Sequence, residues 1–140
     1  MTKKINSLLF VSLLVSFVHC QEGGSNSENM THVEKIYIKA VNFTIMTPLS
    51  VDCNKFEQAF ENHRAFWIKD SVEIDEFLNQ LIKLEPIDST YMKSVDTRAK
   101  IEIISSEDTN VICVGNLTLL KNNKFYKTPQ KLIDSIEQME

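Results

Sequence analysis

Few side chains in this chain are of the kinds that most often carry chemistry: three cysteines, three histidines and nineteen Asp and Glu residues. Cys53 and His63 offer a thiol and a base, but they stand near opposite ends of one expected helix. About ten residues of helix separate two groups by about 15 Å, beyond the reach of a direct proton transfer. Cys113 meets His63 or His32 only through tertiary contact. Glu57, Glu61 and His63 are close in sequence but lack a His-Glu-x-x-His pattern or any other zinc spacing, and they suit the solvated face of an amphipathic helix. Asp70 and Glu73 have a capping explanation. Asp96 and Arg98 suit a local ion pair, and Glu107 and Asp108 suit a turn. There is no Gly-x-Ser-x-Gly elbow, and with Gly23, Gly24 and Gly115 as the only glycines no phosphate-cradling loop can be built. No catalytic residue, cofactor or metal ligand is therefore assigned, and the chain is expected to act by binding.

The first residues address the chain for export. Lys3 and Lys4 precede an apolar run, Leu8 to Val18, shorter than the about 20 residues a bilayer span needs. A polar stretch rich in Gly, Ser and Asn follows, Gln21 to Asn29. This is the pattern of a signal peptide (residues 1–20) and a flexible tether (21–32) ahead of a single domain (33–140). Without Lys3 and Lys4, 13 of the 15 basic residues remain against 19 acidic ones, a formal −6. An acidic domain without a basic stripe excludes nucleic acid and electrostatic binding to anionic lipid as expected partners.

Cys20 stands directly after the apolar run and directly before the tether, with Val18 and His19 ahead of it. This arrangement resembles the small envelope lipoproteins of Bacteroidetes type. The resemblance covers the signal segment and tether alone. It implies that Cys20 becomes a lipidated N-terminus, with lipid chains as the means of membrane attachment. Cleavage after Cys20, releasing a secreted protein that starts at Gln21, is the alternative. Either route removes Cys20 from the thiol count and leaves Cys53 and Cys113, which an oxidising compartment is expected to pair. Such a bond closes a long loop, worth roughly 4 kcal/mol in the chain-entropy picture.

The elements that must position these residues follow from periodicity. Residues 33–45 alternate as a long strand, with Tyr37, Val41, Phe43 and Ile45 on one face and Ile36, Ile38 and Ala40 on the other. Residues 52–62 form a helix capped by Ser50 or Asp52, with Cys53, Phe56, Ala59 and Phe60 on its apolar side. A short strand spans 64–69. Asp70 and Glu73 open a second helix over 71–84, with Ile74, Phe77, Leu78, Leu81 and Ile82 repeating at helical period and Pro86 ending it. In the hairpin over 96–115, Ala99, Ile101 and Ile103 point inward and Lys100 and Glu102 outward. Residues 111–120 continue as one strand with a bulge or bend at Gly115-Asn116. Asn122-Asn123 turn the chain, Phe125-Tyr126 form a last strand, and Thr128-Pro129 open a closing helix. The order β-α-β-α-β-β-β-α predicts an α+β fold, a largely antiparallel sheet with amphipathic helices on one face.

Two places remain for a working surface: the 64–69 strand and the loop 87–95. Phe66 and Trp67 are neighbours in that strand and so face opposite ways. One belongs to the core, and the other is either covered by a helix or left for a partner. The expected partner is a protein, and the expected role is that of an inhibitor or immunity-like lipoprotein of the cell envelope. A structural or assembly subunit of an envelope complex is the alternative. Three Asn-x-Thr sequons, at Asn29, Asn42 and Asn116, are potential glycan acceptors, with Asn42 expected inside the first strand, a poor place for a glycan.

Overall fold

The computed structural model describes residues 32–88, 90 and 94–139. The expected signal segment, most of the expected tether and Cys20 lie outside the described residues, as does part of the 87–95 loop. The chain is α+β. Six antiparallel strands, β1 (Val33–Ala40), β2 (Arg64–Ile68), β3 (Thr97–Ser105), β4 (Thr109–Gly115), β5 (Thr118–Lys121) and β6 (Lys124–Lys127), form one sheet in the order β2-β1-β3-β4-β5-β6. The helices are α1 (Phe56–Ala59), preceded by a 3₁₀ turn Cys53–Lys55, then α2 (Ser71–Ile82) and α3 (Gln130–Glu137).

One sheet face carries the main core. Ile36, Ile38, Ala40, Ala99, Ile101, Ile112, Val114 and Leu119 are fully buried there, beneath Ile74, Phe77, Leu78 and Leu81 of α2 and Leu132, Ile133 and Ile136 of α3. This is the expected division: apolar residues at every second position of a strand meet the apolar stripe of a helix. The Asp70 carboxylate caps α2, accepting from Val72 N at 2.9 Å and Glu73 N at 3.2 Å. Asn122 and Asn123, with φ of 50° and 58°, make the left-handed turn between β5 and β6.

Five expectations are corrected. The first strand ends at Ala40, not at 45. Phe43 then joins the main core, on the side of Ile36 rather than of Tyr37. Asn42 consequently lies in an exposed turn, where its Oδ1 accepts from Thr44 N and Oγ1. The helix expected over 52–62 shrinks to a 3₁₀ turn and a single α-helical turn. Phe60 leaves helical geometry at φ −128°, Asp52 makes no side-chain cap, and Ala59 is exposed. Helix α2 stops at Ile82, and that side chain is 60% exposed. Residues 111–120 are two strands, not one. Cys113 lies opposite Leu120 and Val114 opposite Leu119, so the chain reverses at Gly115. A Cβ there would stand 2.5 Å from the Asp96 carbonyl oxygen, so only glycine fits. Finally, α3 starts at Gln130 with Pro129 as its cap, and the Thr128 hydroxyl is buried without a hydrogen-bond partner.

Candidate functional site

The second sheet face is covered over part of its area. Cys53 and Cys113 form a disulfide, with Cα atoms 5.7 Å apart, and this holds the 3₁₀ turn and α1 against β4. The strand alternation of β4 makes Cys113 available for this bond: Ile112 and Val114 enter the main core, so Cys113 points to the other side. Val41, Val51, Phe56 and Val95 are buried outside the main core, as is Cys113. The segment between β1 and the 3₁₀ turn is tied down by Arg98. Its guanidinium donates to both oxygens of Asp96 at 2.7 and 2.8 Å, to the carbonyls of Ile45 (3.1 Å) and Thr97 (3.0 Å), and to Thr47 Oγ1 (3.1 Å). Asp96 Oδ1 also accepts from Val51 N at 2.9 Å. The expected Asp96–Arg98 ion pair is therefore a structural clamp.

Register places the remaining residues of this face in rows. Lys39 lies beside Lys100 and Lys100 beside Cys113. Glu57, carried over this row by α1, accepts from Lys39 Nζ at 2.9 Å and Lys100 Nζ at 3.0 Å through one oxygen. Burial alone pushes the Glu57 carboxyl upward, but the hydrogen bonds from Lys39 and Lys100 outweigh it. They hold the pKa at about 2, down from the ordinary 4.5. The same hydrogen bond from Lys39 raises the lysine, against burial that lowers it. Glu57 is thus committed to an ion-pair cluster, and His63 Nδ1 lies 2.8 Å from the Phe60 carbonyl oxygen. The Glu57/Glu61/His63 set is not assembled as a metal site, and among the described residues no three His, Cys, Asp or Glu groups gather as metal ligands.

The next row is open. Trp67 lies opposite Tyr37, and Tyr37 opposite Glu102. The Trp67 and Tyr37 rings are stacked, centroids 4.2 Å apart and planes inclined by 19°. Lys35 Nζ stands 5.3 Å and Lys69 Nζ 5.7 Å from the Trp67 ring centroid, and Lys39 Nζ stands 5.3 Å from that of Tyr37. Trp67 remains 48% exposed and Val111, farther along the row, 41% exposed. Phe66, on the opposite face, packs against the main core. Of the two neighbouring aromatics, Phe66 is thus the one that meets the core and Trp67 the one left uncovered.

Comparison with protein-family models, with curated proteins and with solved structures finds no match for this chain. Tyr37, Lys35 and Lys39 belong to the candidate site although only Phe66 and Trp67 are singled out by sequence. The signal for them is the alternation in Val33–Ala40, VEKIYIKA, which puts Lys35, Tyr37 and Lys39 on one face. A groove of about 360 Å³ flanks the same edge of the sheet on its helix side, lined by Phe66 and Ile68 of β2, Glu73, Glu76 and Phe77 of α2, and Met139.

Proposed function

We propose that the chain is an exported, non-catalytic binding protein of inhibitor or immunity-like type, lipid-anchored at Cys20 in the cell envelope, with the Trp67 end of the sheet as its working surface. One observation carries this reading. A tryptophan, stacked on a tyrosine and flanked by lysines, is exposed on the face that α2 and α3 leave open. Rigid aromatics flanked by charge are the commonest anchors of protein interfaces, because they bury large area at low entropic cost. The ion-pair and disulfide chemistry nearby is structural, whereas the aromatic row has no internal role of that kind.

The test is affinity capture from an envelope extract with the native chain and with Trp67→Ala. A partner retained by the native chain and lost by a folded Trp67→Ala variant supports the reading; identical capture by both refutes it. Intact mass of the exported protein tests the anchor: a diacylglyceryl group on Cys20 supports it, and an unmodified start at Gln21 rules it out. The open edge of β2 favours a second reading, an assembly subunit docked into an envelope complex, which predicts co-fractionation with that complex.

A further inference from the structure

The two edges of the sheet are treated differently. At β6 the segment 85–87 covers the outer side: Pro86 bridges Tyr126, Ile87 N donates to the Phe125 carbonyl at 3.0 Å, and Lys127 N donates to the Glu85 carbonyl at 2.9 Å. At the other edge β2 pairs with β1 alone, and among the described residues nothing pairs with its outer side. It contains no proline and no bulge, two of the devices that blunt an edge; its protection is limited to its short length and the charges of Arg64 and Lys69 at its two ends. An unpaired strand edge is a template for a further strand, with backbone hydrogen bonds supplying affinity and alternate side chains supplying specificity.

Both flanks of this edge are shaped, and they differ in charge. On the open face stand Trp67, Lys35 and Lys69, and neither lysine has a carboxylate within ion-pair distance among the described residues. On the helix face lies the 360 Å³ groove, floored by Phe66, Phe77 and Met139 and rimmed by Glu73 and Glu76. Arg64, at the far end, is turned to the Met139 carbonyl (3.2 Å) and the Phe66 ring. A second copy of this chain, paired edge to edge with its helices on the same side, would bring acid toward acid on one face and lysine toward lysine on the other. Like charges on both faces oppose that pairing.

We infer that β2 accepts an extended segment of a partner protein as a seventh strand. The segment places carboxylates beside Lys35 and Lys69, and alternates them with apolar and basic side chains that enter the groove past Glu73 and Glu76. This inference rests on the reading of the Trp67 end as the working surface and adds the mode of binding and the chemistry of the partner.

The probe is a synthetic ten-residue peptide with Glu at odd positions and Leu or Lys at even positions, titrated into the exported chain. Trp67, the single tryptophan, reports through its fluorescence. A saturable change is expected, weakened at least tenfold by Lys69→Glu, and weakened at least tenfold when alternate peptide nitrogens are methylated. A scrambled peptide of the same composition should bind at least tenfold more weakly. No saturable signal, or equal binding of the methylated or scrambled peptide, overturns strand addition. So does binding that appears only after residues 21–31 are deleted, since the tether would then be the natural occupant. If the peptide fails while capture still depends on Trp67, the strand mode falls and the working surface stands.

Discussion

Arg98 is 3% exposed, yet every one of its N–H groups has an acceptor, which is the condition under which a guanidinium can be buried at tolerable cost. Removing it takes the Arg98 donors from the Ile45 and Thr97 carbonyls and leaves the Asp96 carboxylate with Val51 N alone. Arg98→Ala is expected to lower stability by about 2–3 kcal/mol, below the usual cost of breaking a buried pair because Asp96 is half-exposed. A urea midpoint unchanged from the native chain would refute the clamp. Glu57 makes a different prediction. Its folded pKa, about 2, lies below its ordinary 4.5, so its contribution is present above about 4.5 and is lost as pH falls toward 2. Because about a third of the side chain is solvent-exposed, screening reduces that contribution to about 1 kcal/mol. Glu57→Gln should therefore be less stable than the native chain at pH 6 and nearly equal to it at pH 2. Parallel curves of stability against pH would contradict the assignment.

At the scale of elements, the disulfide reinforces what the buried Phe56 side chain and the Glu57 ion pairs do. The single turn of α1 is too short to be stable alone, and it lies on the face opposite α2 and α3. Cys53–Cys113, spanning a sequence separation of 60, fixes it there. Reduction, or replacement of both cysteines by serine, is expected to lower stability by about 2–4 kcal/mol; identical unfolding curves with and without reductant would contradict this. Elements with strong local chemistry are legible in sequence. Asp70 and the apolar stripe define α2, and Asn122-Asn123 define the β5–β6 turn. What is not legible depends on tertiary packing. Nothing local in 52–62 says that the helix unwinds at Phe60, where the chain must turn to enter β2. The reversal at Gly115 reads locally as a bulge, since Val111–Val114 and Leu117–Leu120 are both apolar, and only pairing between the two halves separates them. The 33–45 pattern overruns Ala40 because Val41, Phe43 and Ile45 alternate with Asn42 and Thr44 and so continue the strand period through the turn.

At the scale of the molecule, the sheet is unevenly covered. One face is packed by α2 and α3 except at the groove beside β2. The other is covered at the Cys113 end by α1 and left open at the Trp67 end. Among the described residues no helix is long and apolar enough to cross a membrane. The net charge of the chain is −4, yet Lys35 and Lys69 flank Trp67 at the open end with no carboxylate within ion-pair distance among the described residues. Sequence exposes Trp67 as one of two candidates, and only the β1–β2 register shows it backed by Tyr37 and flanked by lysines contributed by two separate segments.

The central claim is that this open end contacts a protein partner. Photocrosslinking in intact cells tests it most directly, with a photoreactive residue at position 67 and, as a control, at position 107 in the β3–β4 turn. A discrete protein adduct from position 67 and none from position 107 is predicted. No adduct from position 67, or the same adducts from both positions, would contradict the claim.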